Sequence, residues 1–324
     1  MNNNILITSA GRRVSLVKAF QKELKKLNIK GGVYSTDLNP ELSSACLVSD
    51  GYFKVPKVTN HDYINELLGI SIKNNIKVII PTIDTELKKL SLNHKLFKEK
   101  GIEIIISDES FVSKCRDKRE IHKFFDENGF PRAKDVKPTK FNLPIFVKPT
   151  DGSRSVGIYL VRNESELTNE ILSNPKNMFL EYIDINENNE FTIDIYFNKN
   201  SKIISIVPRE RILVRDGEVN KACTRKNLIV PFIKDKFSNL KGLKGCITLQ
   251  VFKNKKNDNI IGIEINPRFG GGYPLSYEAG ANFPKWIIKE YILNESIEEY
   301  FDLWSDNTLM LRYDAEVISY GFKG

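Results

Sequence analysis

Short apolar runs alternate with longer mixed segments through the first third of the chain. Ile5-Leu6-Ile7-Thr8 has the pattern of a buried strand, Ser9-Ala10-Gly11-Arg12-Arg13 that of a turn, and about Val14 to Leu27 that of a helix. Gly32-Val33-Tyr34-Ser35-Thr36-Asp37 is a second strand ending on an acid. A helix is expected over roughly residues 62–74, and further strands at Val78-Ile79-Ile80-Pro81 and residues 102–106. Strand and helix take turns, which predicts a small doubly wound parallel sheet. Ligands of such sheets sit at the carboxyl ends of the strands. That rule singles out Gly11, Arg12, Asp37 and the loop Thr82-Ile83-Asp84-Thr85-Glu86, where substrate contact and plain turn or cap chemistry are equally good explanations.

Beyond residue 110 the pattern changes. Ser113 to Lys118 opens a helix carrying Ile121, Phe124 and Phe125 at helical spacing, and Gly129 and Pro131 stop it. Pro144 to Pro149 is an apolar strand ending in Lys148-Pro149, followed by the small-residue run Thr150-Asp151-Gly152-Ser153-Arg154-Ser155-Val156-Gly157. A strand over 178–184 leads into another over 190–197, where Phe191, Ile193, Ile195 and Phe197 alternate with other residues. Ile247 to Phe252, a polar turn, and Ile260 to Ile265 form a hairpin. Between these lies a strand-loop-strand passage dense in guanidinium groups: Arg209, Arg211 and Arg225.

The candidate chemistry centres on Glu264-Ile265-Asn266-Pro267-Arg268 and the glycines Gly270-Gly271-Gly272. Residues two apart on a strand share a face. Glu264 and Asn266 thus leave the same side, and the hairpin can bring Gln250 beside them. One carboxylate and two amides are hard oxygen donors of the kind Mg²⁺ accepts when phosphate oxygens and water complete its shell. Arg268 adds a fixed cation, and the glycines allow close backbone approach. A solvated strand face is the plain alternative for any one of these residues.

Taken in order, these features resemble the ATP-grasp superfamily, closest to its branch like the carbamoyl-phosphate synthetase large subunit, with a single grasp unit. The resemblance implies an α/β (α+β) chain: a pre-ATP-grasp, dinucleotide-binding-like domain over 1–110, a lid subdomain over 111–184, and a C-terminal grasp subdomain with the magnesium site over 185–324. The Gly-x-Gly-x-x-Gly fingerprint is absent, so a nicotinamide cofactor is not expected. By resemblance, Gln250, Glu264 and Asn266 ligate Mg²⁺, with Mn²⁺ as a substitute. Lys118, Lys148, Ser153 and Ser155 surround the ATP phosphates, Glu181, Tyr182 and Ile183 meet the adenine, and Glu190 meets the ribose. Arg268 and Lys148 stand beside the transferred phosphoryl group, and at least one of Arg209, Arg211 and Arg225 grips the acid or acyl phosphate. The implied activity is an ADP-forming ligase that activates a carboxylate as an acyl phosphate and joins it to an amine. Two rivals stand beside it: an enzyme that phosphorylates bicarbonate on the way to carboxyphosphate or carbamoyl phosphate, and a nucleotide-binding regulator without turnover.

Composition changes this picture little. The 324 residues are 41% hydrophobic and 28% charged, ordinary for a globular chain. The net charge of +8 is spread over many lysines rather than gathered in one basic helix or aromatic-basic repeat, so a nucleic-acid partner is not expected. No apolar run reaches 18 residues and no leader is apparent, so neither a membrane partner nor export is expected. Cys46, Cys115, Cys223 and Cys246 form no CxxC pair and read as reduced thiols of a cytoplasmic protein. His61, His94 and His122 have no metal or triad spacing. The expected partners are a small carboxylate, a small amine and a second copy of the chain as a homodimer.

Overall fold

A computed structural model describes residues 3–137, 142–151, 156–215 and 217–322. Its first sheet contains β1 (Asn4–Thr8), β2 (Val33–Asp37), β3 (Gly51–Lys54), β4 (Ile76–Pro81) and β5 (Glu103–Ile104), all parallel, in the order β3-β2-β1-β4-β5. The chain builds outward from β1 in one direction with β2 and β3, then crosses back to add β4 and β5. The switch point therefore lies between β1 and β4, whose carboxyl ends carry Ser9 to Arg13 and Thr82 to Thr85.

Helix Val14–Lys26 covers one side of this sheet through Leu16, Val17, Phe20 and Leu24, spaced at three and four residues. Helix Tyr63–Lys73 covers the other through Tyr63, Ile64 and Leu67. The strand expected over 102–106 is only two residues long. Ile105 still donates to the Ile79 carbonyl at 2.9 Å, but Asp108 N–H then turns to the Gly242 carbonyl at 2.7 Å. Those bonds stitch the first unit to the second.

A small lid sheet follows: β6 (Ile145–Pro149), β7 (Tyr159–Val161) and β8 (Asn177–Glu181), antiparallel in the order β7-β6-β8. The main sheet is antiparallel: β9 (Asn188–Phe197), β10 (Ile203–Arg215), β11 (Glu218–Thr224), β12 (Gly245–Asn254), β13 (Ile260–Asn266) and β14 (Leu309–Leu311), in the order β13-β12-β9-β10-β11-β14. The segment 131–136 joins the two sheets. Gly262 N–H donates to the Pro131 carbonyl at 2.7 Å, and Val136 N–H to the Phe179 carbonyl at 2.9 Å.

One further expectation changes at this level. The single helix expected from Ser113 is two helices, Glu109–Arg116 and Lys118–Glu127. Asp117 between them is extended and its carboxylate accepts from Arg119 N–H at 2.8 Å, so it caps the second helix and makes Lys118 that helix's first residue. The C-terminal stretch seals the core with Trp304, which is 1% exposed. It also adds β14 along β11, which brings Arg312 to Glu218 at 3.0 Å.

Candidate active site

The register of the main sheet decides which side chains meet. Gln250 lies opposite both Glu264 on β13 and Thr192 on β9, and Thr192 lies opposite Arg209 on β10. Paired residues share a face, so Glu264, Gln250, Thr192 and Arg209 form one row across the sheet. Asn266, Thr248 and Asp194 form the next row. Phe191, Ile193 and Ile195 point the other way into the core.

This polar face opens into a cleft of about 580 Å³ between the two units. Its wall includes Gln250, Glu264, Asn266, Arg268, Arg209, Arg211 and Lys118, together with Thr82 to Thr85 and Arg13 from the switch point of the first sheet. The three expected metal donors stand together. Gln250 Nε2 donates to Glu264 Oε1 at 3.1 Å, and Asn266 Nδ2 donates to the same oxygen at 3.0 Å. A side-chain amide can present either its NH₂ or its oxygen, so the set suits a hard cation. Among the described residues no cluster of three or more His, Cys, Asp or Glu is arranged for a metal. A single carboxylate holds a divalent ion weakly by itself, so a cation here depends on ligand oxygens such as phosphates to complete its shell.

Two lysines converge on Glu264. Lys148, 6% exposed, reaches the Ile263 carbonyl at 3.5 Å. Burial pushes its ammonium down to about 8, with Glu264 working the other way and Lys118 adding to the fall. Lys118 is lowered as well, first by burial, again against the pull of Glu264. Both are cations made costly by their surroundings, a state that an incoming polyanion relieves. Arg268 crosses the cleft and gives Asp84 of the first unit a 2.6 Å contact from Nη2.

Arg209 is fully buried and forks onto Asp194, Nε to Oδ2 at 2.8 Å and Nη2 to Oδ1 at 3.0 Å, while Ser276 Oγ donates to Oδ2 at 2.6 Å. Arg209 Nη1 and Arg268 Nε are buried without a hydrogen-bond partner among the described residues. Buried donors in a cleft wall are costly unless a ligand satisfies them. The glycines are fixed by these arginines: a Cβ at Gly272 would collide with Arg209 Nη1 and lie 2.7 Å from Val219. Arg211 approaches Glu190 at 3.3 Å and reaches the Thr192 hydroxyl and the Gly217 carbonyl at 3.4 Å each. Glu190 is raised by burial and by Glu264, against the pull of Arg211.

The structure separates other candidates from the cleft. Arg225 follows Thr224, which pairs with Arg209, so Arg225 faces away; it binds Glu210 at 2.8 Å beside a second cavity of about 300 Å³. Glu181, Tyr182, Ile183 and Glu190 do not line the cleft. The Glu181 N–H donates to the Lys134 carbonyl at 2.9 Å and its carboxylate accepts from Lys134 N–H at 3.0 Å, so this residue ties β8 to the segment 131–136. Asp37 accepts from the amides of Gly11 and Asn39, which is turn chemistry, and Gly11 itself has φ +50°. Glu86 is buried and holds the loop before it, accepting from Thr82 and Ile83 amides, Ser9 and Tyr63. Ser153 and Ser155 lie outside the described residues.

Sequence reasoning missed Asp194, Ser276, Arg13, Glu218 and Arg312. Asp194 carried a local signal: Glu190, Thr192 and Asp194 are the polar phase of a strand whose apolar phase fills the core. The others carried none.

A family model described as a PylC-like N-terminal domain matches residues 5–105, and one described as ATP-grasp in the biosynthetic pathway with Ter operon matches residues 173–303. No curated protein matches the chain by sequence. Biotin carboxylase from Campylobacter jejuni has a similar fold, with TM-score 0.69, 14% identity, and coverage of 89% of this chain and 70% of that one. N5-carboxyaminoimidazole synthetase from Staphylococcus aureus, solved with ADP, gives TM-score 0.69 at 17% identity over 92% of this chain and 80% of that one. The biotin carboxylase domain dimer of Hydrogenobacter thermophilus 2-oxoglutarate carboxylase, solved with MgADP, ADP and bicarbonate, gives 0.70 at 17% over 95% and 73%. Parallel sheet, lid and grasp sheet thus recur together in this order, and the chain belongs to the ATP-grasp superfamily, with a single grasp unit.

Proposed function

We propose that this chain is an ATP- and Mg²⁺-dependent ligase that activates a carboxylate as an acyl phosphate and joins it to an amine or similar nucleophile, releasing ADP and phosphate. The observation that carries the reading is the convergence of Gln250, Glu264 and Asn266 on the cleft face beside Arg268, Lys118 and Lys148. Relatives solved with ADP and MgADP support the nucleotide and the metal. Gln250, Glu264 and Asn266, with phosphate oxygens, would hold Mg²⁺, which would supply charge neutralisation during phosphoryl transfer. A substrate carboxylate oxygen attacks the γ-phosphorus, and the bond to the β–γ bridging oxygen breaks to release ADP. The nucleophile then attacks the acyl carbon, gives up its proton, and phosphate leaves. Lys118, Lys148 and Arg268 offset charge on the phosphoryl oxygens, while Arg209, locked on Asp194, offers its free Nη1 edge to an anion. Such chemistry asks for positioning and electrostatics more than for a protein nucleophile.

The test follows phosphate release from Mg-ATP with separate pools of carboxylic acids, amino acids and amines. Release that needs an acid and is lost in Glu264→Gln, with the melting transition retained, supports the ligase. Release with bicarbonate alone assigns the carboxyphosphate chemistry instead. No release with any pool, while a non-hydrolysable ATP analogue still binds, leaves a nucleotide-binding regulator. Light scattering tests the homodimer, an oligomeric state that the dimeric 2-oxoglutarate carboxylase domain supports.

A further inference from the structure

Behind the glycine strap Gly270–Gly271 lies a side pocket of about 30 Å³ whose wall includes Arg12, Arg13, Ser15 and Arg312. It shares Arg13, Gly270 and Gly271 with the wall of the main cleft, so the two spaces adjoin across that strap. At this junction, among the described residues, the guanidinium groups of Arg12, Arg13, Arg268 and Arg312 face two carboxylates, Asp84 and Glu218, an excess of two positive charges. Arg312 Nη1 bonds Glu218 at 3.0 Å and the Val219 carbonyl at 3.2 Å, while Arg12 comes no closer than 3.9 Å to Glu218. Arg13 makes one long bond, Nη2 to the Thr82 carbonyl at 3.4 Å, and is pushed down to about 10 by burial and by Arg268. A guanidinium has five donors in a planar fork, and most of those of Arg13 have no protein acceptor among the described residues. Buried Arg268 Nε, without a partner, belongs to the same junction.

Size and charge bear on the ligand. A water needs about 10–15 Å³ of such space, so the pocket admits roughly two oxygen-sized groups. That matches the two oxygens of a carboxylate. Arginine forks match carboxylates in bidentate geometry. We propose that the pocket between Arg12, Arg13 and Arg312 is a subsite for a second carboxylate of the substrate, so that the acid activated in the cleft is dicarboxylic. The assignment of a substrate rests on the ligase reading of the adjoining cleft, whereas the subsite itself is read by binding.

The probes are glutarate, butyrate and inorganic phosphate, titrated calorimetrically into the full chain with Mg²⁺ and a non-hydrolysable ATP analogue. Glutarate is expected to bind at least tenfold more tightly than butyrate. Arg312→Gln, on the sheet edge where the fold tolerates it, is expected to weaken glutarate about tenfold and to leave butyrate unchanged. Equal affinities, absence of glutarate binding, or equal losses for both acids overturn the subsite. Inorganic phosphate that displaces glutarate and binds as tightly overturns the carboxylate assignment. A parallel phosphate-release assay separates the two readings. Selective glutarate binding with no turnover on any acid sinks the ligase and leaves the subsite. Turnover of monocarboxylic and dicarboxylic acids at equal kcat/KM sinks the subsite and leaves the ligase.

Discussion

Lys148 stands beside Glu264 at a cost to the fold, and that cost is measurable. Its ammonium is 6% exposed, its one acceptor among the described residues is the Ile263 carbonyl at 3.5 Å, and burial lowers it from 10.5 to about 8. Between those values the unfolded chain holds the proton and the folded chain does not, so stability rises with pH across that window and is penalised in full below about 8. The shift corresponds to roughly 3 kcal/mol at pH 7. Lys148→Met keeps the stem and removes the charge, so the ligand-free variant is expected to gain up to about 3 kcal/mol, or roughly 5 °C in melting temperature. The gain shrinks as pH rises from 8 toward 10.5. The same variant should bind a non-hydrolysable Mg-ATP analogue about 10–100-fold more weakly, because a charge-assisted contact of about 1.5–3 kcal/mol is lost. In the parent, phosphate restores the proton, so affinity falls with pH above about 8. Differential scanning calorimetry from pH 7 to 10 reads the first effect and titration calorimetry the second. A variant that is no more stable at pH 7, or whose gain is the same at pH 10, refutes the electrostatic account, as does unchanged nucleotide affinity.

Other perturbations follow from neighbouring geometry. Asp194→Ala leaves the buried Arg209 guanidinium uncompensated and should destabilise the chain by about 3–5 kcal/mol in urea unfolding. Gly272→Ala forces a methyl against Arg209 Nη1 and Val219; phosphate release should drop at least tenfold, and equal turnover would show that the strap yields freely. His122, 3% exposed, is pushed down to about 4 by burial, with Lys148 and Arg132 adding to the fall. The unfolded chain then takes up a proton between pH 6.5 and 4 that the folded chain refuses, so stability falls with acid there, and His122→Gln should flatten that limb by up to about 1.4 kcal/mol per pH unit.

How far these residues were legible depends on what fixed them. Glu264 and Asn266 sit two apart on one strand with Arg268 just past its end, and a short polar turn brings Gln250 opposite; period and hairpin together determine the cluster. Most of the parallel sheet was equally readable, because the strand and helix periods of β1, β2, β4 and the helices Val14–Lys26 and Tyr63–Lys73 are plain; the edge strand β3, four residues long and alternately exposed, has no apolar run and was missed. The guanidinium passage was not. Arg209 and Arg211 share a face by parity, but which face Arg225 takes depends on the register of β10 against β11, which shifts at Arg211/Leu213 and again at Leu213/Val214. A slip of one residue exchanges the faces, and no residue type in that hairpin announces a bulge.

Charge partners are harder still, since a carboxylate is recruited by space and not by neighbours in the chain. Arg209 finds Asp194 fifteen residues away and through it Ser276, 82 residues further on; Glu218 finds Arg312 across 94. Each pair is set by sheet order: β9 lies beside β10, and β14 is laid along β11 by the chain's last crossing. The electrostatics of the cleft therefore divide in two. The hairpin that carries Glu264 defines the anion-handling end locally, so it can be found in a single chain. The end proposed to select the substrate draws on the switch-point turn, the start of β11 and the segment after β14, which are far apart in the chain. If the subsite holds a second carboxylate, a Glu264 variant and an Arg312 variant should fail in different ways: the first in turnover of every acid, the second in the choice among them.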